Sequence, residues 1–271
     1  MHVCFYLVVC SVMVIFLNCG CTDIRNLIHD SREIKETMAD NAVVITYCAK
    51  EKTKENRVYF NYPQFQETTN NTTKINELIV EFIESELMKI CDRGFKGHLK
   101  GSPENWIWNE DDYTFQAIDI DYQVTRNDSY FFSVIFEGMS NQKMSAHPHH
   151  YFNSLIIDLK NKQTTTLKEI YCIDDTFVTI VRKAFKEQIR ANLAEKYGTQ
   201  PEDIPVDFEN ELDYVSNYNI QQALKSDGSD DYGYSCFLTE DAVGISMPVA
   251  YTKGDHWEIF IDHECLDFQR K

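Results

Sequence analysis

Apolar and polar positions alternate with clear periods along most of this chain. Ile118, Ile120, Tyr122 and Val124 are interleaved with Asp119, Asp121, Gln123 and Thr125. A period of two predicts a strand with one buried and one wet face. Arg126-Asn127-Asp128-Ser129 carries turn chemistry, and Tyr130 to Phe136 returns as a strand apolar on both faces. A third strand is expected over Tyr151 to Leu159, ending in the turn Lys160-Asn161-Lys162, which makes an antiparallel meander. Upstream, Ala42 to Cys48 and Arg57 to Asn61 also read as strands.

Helical spacing replaces alternation twice. Ile75, Leu78, Ile79, Phe82, Ile83, Leu87 and Ile90 form one stripe, predicting a helix over Thr73 to Cys91 with Thr72 or Thr73 as its cap and Gly94 beyond its end. Phe177, Ile180, Val181, Ala184, Phe185 and Ile189 form another, predicting a helix from Asp174 to Lys196 capped by Asp174 or Asp175. Glu202 to Asp213 is expected to be loop, followed by a short helix near Ile220 to Lys225. Strands are then expected at Tyr234 to Thr239, Val243 to Ala250 and Trp257 to Asp262. The pattern is strands with a helix, twice over. It predicts the α+β class, with antiparallel sheets each packed by a helix, in two intertwined halves spanning 41–170 and 171–271.

The N-terminal segment has a different character. Val3 to Leu17 is almost wholly apolar, and the first charged side chain is Asp23. A helix over this run rises about 22 Å, short of a hydrocarbon core of ~30 Å, so a signal peptide over 1–21 is expected rather than a permanent span. Leu17-Asn18-Cys19-Gly20-Cys21 resembles a bacterial lipobox. Cys21, preceded by the small Gly20, is the expected diacylated residue in preference to Cys19. Residues 22–40 are polar and suit a tether, so the body is expected outside the cytoplasm, anchored on the outer face of the cell membrane.

Charge narrows the partners. Lys and Arg number 26 against 43 Asp and Glu in 271 residues, a net −17. Such a body repels phosphate backbones, which argues against nucleic acid, and it steers basic proteins. Acidity also serves solubility alone. Cys48, Cys91, Cys172, Cys236 and Cys265 lie in the body without a C-x-x-C pair, and buried thiols are expected rather than disulfides.

Three groups of residues could carry chemistry. His147-Pro148-His149-His150 could ligate a transition metal with His256, His263 or Glu264. Yet His149 and His150, as neighbours in a strand, would point to opposite faces. The quartet is therefore read as a loop with partly exposed imidazoles, and neither metal nor cofactor is expected. Glu110, Asp111, Asp112, Asp119 and Asp121 could supply a carboxylate pair for glycoside hydrolysis, but in so acidic a chain such pairs arise by chance. There is no G-x-S-x-G, P-loop or dinucleotide motif, and no catalytic residue is assigned. Trp106, Trp108 and Tyr113 stand among Asn105, Asn109 and the same carboxylates. Such a loop could stack on sugar rings or receive Arg and Lys, or it could plug a gap in the core.

Several short motifs also look familiar. They are Tyr62-Pro63-Gln64-Phe65 with Ile75-Asn76, Ser145-Ala146-His147-Pro148, and Asp158-Leu159-Lys160-Asn161-Lys162 with Thr166-Leu167-Lys168-Glu169-Ile170. Phe237-Leu238-Thr239-Glu240-Asp241-Ala242-Val243 and Gly254-Asp255-His256 complete the set. Together they resemble the paired extracytoplasmic domain of unknown function found in the lysozyme-sensing anti-sigma-V factor and in the non-catalytic N-terminal part of a peptidoglycan deacetylase. The likeness covers roughly residues 42 to 266. The first half is similar to the deacetylase N-terminal domain and the second to the anti-sigma-V extracytoplasmic domain. It implies a cell-envelope module that binds a ligand, with His147 and Pro148 in a structural or ligand-contact role. The Thr-Phe-Asp-Asp and paired-His motifs of the deacetylase catalytic domain are missing. The expected function is binding, without catalysis, of a basic wall-active protein such as lysozyme; the alternative is a peptidoglycan-binding or peptidoglycan-modifying protein.

Overall fold

The computed structural model describes residues 32–37, 43–52, 57–66, 70–90, 115–142, 147–204, 216–226, 234–249 and 255–266. Seven strands build its larger sheet: β1 (Arg32–Thr37), β2 (Val43–Lys52), β3 (Arg57–Phe65), β4 (Phe115–Asn127), β5 (Phe131–Gln142), β6 (His149–Asp158) and β7 (Gln163–Thr165). They lie side by side in chain order. Neighbours are antiparallel except for β3 and β4, which run parallel with Val58 opposite Ile118. A parallel pair requires a crossover, and helix α1 (Asn70–Ile90) lies within it.

The predicted alternation explains how α1 packs. Ile118 and Ile120 join Phe60, Phe132, Val134, Phe136, Leu155 and Ile157 on one face of the sheet, where Ile79, Ile83 and Leu87 of α1 cover them. Asn76, buried at the sheet edge, receives the Phe65 N–H on its carbonyl oxygen and donates its amide to the Phe65 carbonyl, both at 2.8 Å. This substitutes for a missing strand partner and ties the start of α1 to the end of β3.

The second half contains α2 (Leu167–Ile170), α3 (Asp175–Tyr197), α4 (Asn217–Lys225) and a sheet in the order β10-β9-β8, from β8 (Ser235–Leu238), β9 (Ala242–Pro248) and β10 (His256–Asp262). Asp174 caps α3 by accepting the Phe177 N–H at 2.9 Å, and Gly198 ends it with φ of 65°. Phe177, Val181, Phe185 and Ile189 pack on Val243, Ile245, Trp257, Ile259 and Ile261. The small sheet then meets the free face of the large one. Ser133 Oγ accepts the Leu238 N–H at 2.9 Å, and Ser154 Oγ donates to the Cys236 carbonyl at 2.7 Å.

The α+β class holds, and each sheet carries its helix. Several details depart from the expectation. The halves meet face to face without interlacing strands, because each sheet is drawn from one stretch of chain. One strand pair is parallel. The segment expected as a tether contributes β1, paired with β2. Helix α1 begins at Asn70, so Thr72 and Thr73 lie inside its first turn and are not its caps. Among the described cysteines, Cys172, Cys236 and Cys265 are free thiols, but Cys265 is exposed where burial was expected. Cys19, Cys21 and Cys91 lie outside the described residues, and no helix among the described residues is long and apolar enough to cross a membrane.

Candidate functional site

Strand alternation decides which side chains can meet between the sheets. On β5 and β6, Glu137 stands opposite Phe152 and Met139 opposite His150. These four share the face that α1 does not cover. Their neighbours turn the other way: the Tyr151 hydroxyl donates to Glu86 of α1 at 2.7 Å. On β10, Trp257, Ile259 and Ile261 bury against α3, which leaves His256, Glu258 and Phe260 facing the large sheet.

The two faces converge at a pair of imidazoles. His150 and His256 stack with centroids 4.5 Å apart and planes 20° apart, and their Nδ1 atoms approach to 2.9 Å. Each ring turns its other nitrogen to a carboxylate. His150 Nε2 is 3.3 Å from Glu137 Oε1, and His256 Nε2 is 3.2 Å from Glu258 Oε1. Phe152 closes one side, its ring 4.8 Å from that of His256. Asp255, just before β10, accepts the His150 backbone N–H on Oδ2 at 2.8 Å and holds the two strands in step. Asp255 has φ of 67°, a left-handed backbone in a residue with a Cβ. Such conformations persist where the surroundings enforce them.

Beside the pair, the large sheet is open and acidic. Asp121 lies directly opposite Glu137 and Asp119 opposite Met139 across β4 and β5. Asp119, Asp121 and Glu137 are exposed, as are the apolar Met139 and Phe260. Like charges facing each other across a ladder disfavour the sheet by a few tenths of a kcal/mol or more. Asn61 Nδ2, 3.4 Å from Asp121 Oδ1, offers slight relief.

The residues singled out from sequence fall into four groups. Trp106, Trp108 and Tyr113, with Glu110, Asp111 and Asp112, lie outside the described residues. His147 and Pro148 lead into β6; the His147 ring is 6.0 Å from that of His149, on the side away from His150. His263 serves a different corner, 2.6 Å from the Tyr171 hydroxyl and 3.1 Å from the Thr239 carbonyl, and Glu264 is exposed beside it. Of the suggested histidines, His150 and His256 are the pair whose ring nitrogens come within hydrogen-bonding distance. Sequence reasoning passed over Glu137 and Glu258. Glu137 lies one residue past the strand expected to stop at Phe136, and continuing the alternation puts it on the face opposite Phe136. Glu258 lies inside the strand expected over Trp257 to Asp262, and extending that strand back by one residue puts His256 on its face.

No family model and no curated protein matches this sequence. Among solved structures the chain is similar to a DUF3298 family protein from Pseudomonas aeruginosa, at 10% identity over 83% of this chain and 93% of that one, with a TM-score of 0.47. It is also similar to a DUF3298 family member from Bacteroides fragilis, at 12% identity over 89% of this chain and 95% of that one, with a TM-score of 0.41.

Proposed function

We propose that this chain is an exported, lipid-anchored binding module of the cell envelope, and that its ligand is a basic wall-associated protein such as lysozyme. The observation that supports this is the facing pair Asp121 and Glu137, with Asp119 alongside, on an exposed sheet face. An arrangement that costs the free protein stability becomes favourable when a Lys or Arg side chain settles between the carboxylates. Met139, 41% exposed and directly opposite Asp119, gives the same surface apolar contact area. The net charge of −17 adds long-range attraction.

Titration of the purified protein with lysozyme, at low and moderate salt, tests the reading. Saturable binding that weakens with salt is expected, and the triple variant Asp119→Asn, Asp121→Asn, Glu137→Gln should weaken it at least tenfold. Binding indifferent to both would sink the reading. Soluble peptidoglycan fragments run in parallel: binding to fragments alone would indicate a wall-sugar module, and their turnover an enzyme.

A further inference from the structure

The geometry points to a site for one divalent transition-metal ion between His150 and His256, with Glu137 and Glu258 as the carboxylates that orient the two rings; we propose zinc-class metals as its ligand. The site shares Glu137 with the acidic surface proposed above but does not rest on that reading, since zinc binding and lysozyme binding are measured separately.

The inference rests on what each ring nitrogen faces. Carboxylates accept hydrogen bonds and donate none, so Glu137 and Glu258 draw the imidazole protons to Nε2 of His150 and His256. In the neutral tautomer with both protons on Nε2, the two Nδ1 atoms are bare lone pairs, and they are 2.9 Å apart. Two lone pairs at that distance repel unless a positive charge lies between them. A metal ion supplies that charge, and the ring–carboxylate contacts are those that metal-binding histidines use to fix tautomer and orientation. Tetrahedral ligands at 2.0–2.1 Å from zinc stand about 3.3–3.4 Å from one another, so the two nitrogens must part by about 0.4 Å. The stacked rings, 20° apart in plane, must also turn to aim both Nδ1 lone pairs at one ion.

Other features agree. One nitrogen from each ring and one Glu137 oxygen lie within 4.8 Å of one another, so Glu137, 49% exposed at its side chain, can swing from its ring to the ion as a third ligand. His256 is only 12% exposed at its side chain and is backed by Phe152, which restrains the ring and limits water. Asp255 locks the strand carrying one ring to the strand carrying the other. Imidazole ligands select zinc, copper and nickel over magnesium and calcium, which require oxygen.

The test is calorimetric titration of the untagged, chelator-stripped protein with zinc chloride, with thermal unfolding followed alongside. One ion per chain and a rise in unfolding temperature are expected, and a large excess of magnesium should not compete. His150→Ala and His256→Ala should each abolish binding, whereas His149→Ala should leave it intact. Glu258→Gln retains both rings and should weaken binding about 10- to 100-fold, which a variant that merely misfolds would not mimic if its zinc-free unfolding is unchanged. Absence of zinc binding, or binding that survives His256→Ala, would overturn the proposal; in the first case a proton shared between the Nδ1 atoms accounts for their approach.

Discussion

Asp255 and His150, 105 residues apart in sequence, are joined by a single hydrogen bond of 2.8 Å from the His150 main chain to the Asp255 carboxylate. It closes the gap between the two sheets where the imidazoles meet. The bond also holds Asp255 at its positive φ of 67°. Asp255→Ala removes the acceptor and leaves a Cβ residue in a left-handed conformation, so a loss of about 2 kcal/mol is expected in urea unfolding. Asp255→Asn keeps an acceptor and tolerates that backbone, and should stay within about 0.5 kcal/mol of the parent.

Ser133 performs a comparable task inside the sheet interface. It is fully buried and accepts the Leu238 N–H at 2.9 Å and the Thr125 hydroxyl at 3.0 Å. Ser133→Ala leaves a buried amide without its acceptor, and about 1–3 kcal/mol should be lost. Hydrogen exchange at the Leu238 amide should accelerate in the variant; an unchanged rate would show that this bond does not hold the halves together.

Two carboxylates make stability sensitive to acid. Burial alone would raise the Asp128 carboxyl, but the N–H groups of Phe131 and Tyr130 and the Arg126 guanidinium outweigh it and hold it below the ordinary value. Glu169 is likewise lowered: burial opposes the shift, and donors from Thr166 and Thr165 with the charge of Lys168 overcome it. A carboxylate with a depressed folded-state pKa stabilises the fold above its unfolded pKa, and that contribution disappears as pH falls through the folded value. Urea midpoints measured from about pH 6 down to about pH 3 should therefore fall, and Asp128→Asn should flatten the decline.

The thiols should separate by reactivity. Burial pushes the Cys236 thiol up to about 12, while Cys265 is exposed. Since the thiolate is the nucleophile, alkylation of the native protein at neutral pH should label Cys265 well before Cys236. Mass spectrometry of tryptic peptides over time reads the order directly, and equal rates would contradict the burial of Cys236.

Local periodicity made much of this fold legible. Ile118 to Val124 and Phe177 to Ile189 each repeat one buried face, and the strand and helix form where that repeat places them. Asp174 declares the start of α3 by its chemistry. β1 was not legible, since Arg32-Glu33-Ile34-Lys35-Glu36-Thr37 is polar and owes its extended form to pairing with β2 at the sheet edge. The site was half legible. His150 and His256 were both noticed as metal-ligating types, but the contact between them spans 106 residues and depends on how two sheets stack, which no local pattern encodes.

The sheet order carries a consequence for how the chain assembles. Strands β4 to β7 and strands β1 to β3 are two runs of neighbouring hairpins, and hairpins close in microseconds. The single parallel junction, β3 on β4, must bring together ends separated by residues 66 to 114. Loop closure over that span is the costlier entropic step, which places docking of the two runs late. Truncating Val134, inside the β4–β6 meander, should then slow folding, whereas truncating Val58 at the junction should chiefly hasten unfolding.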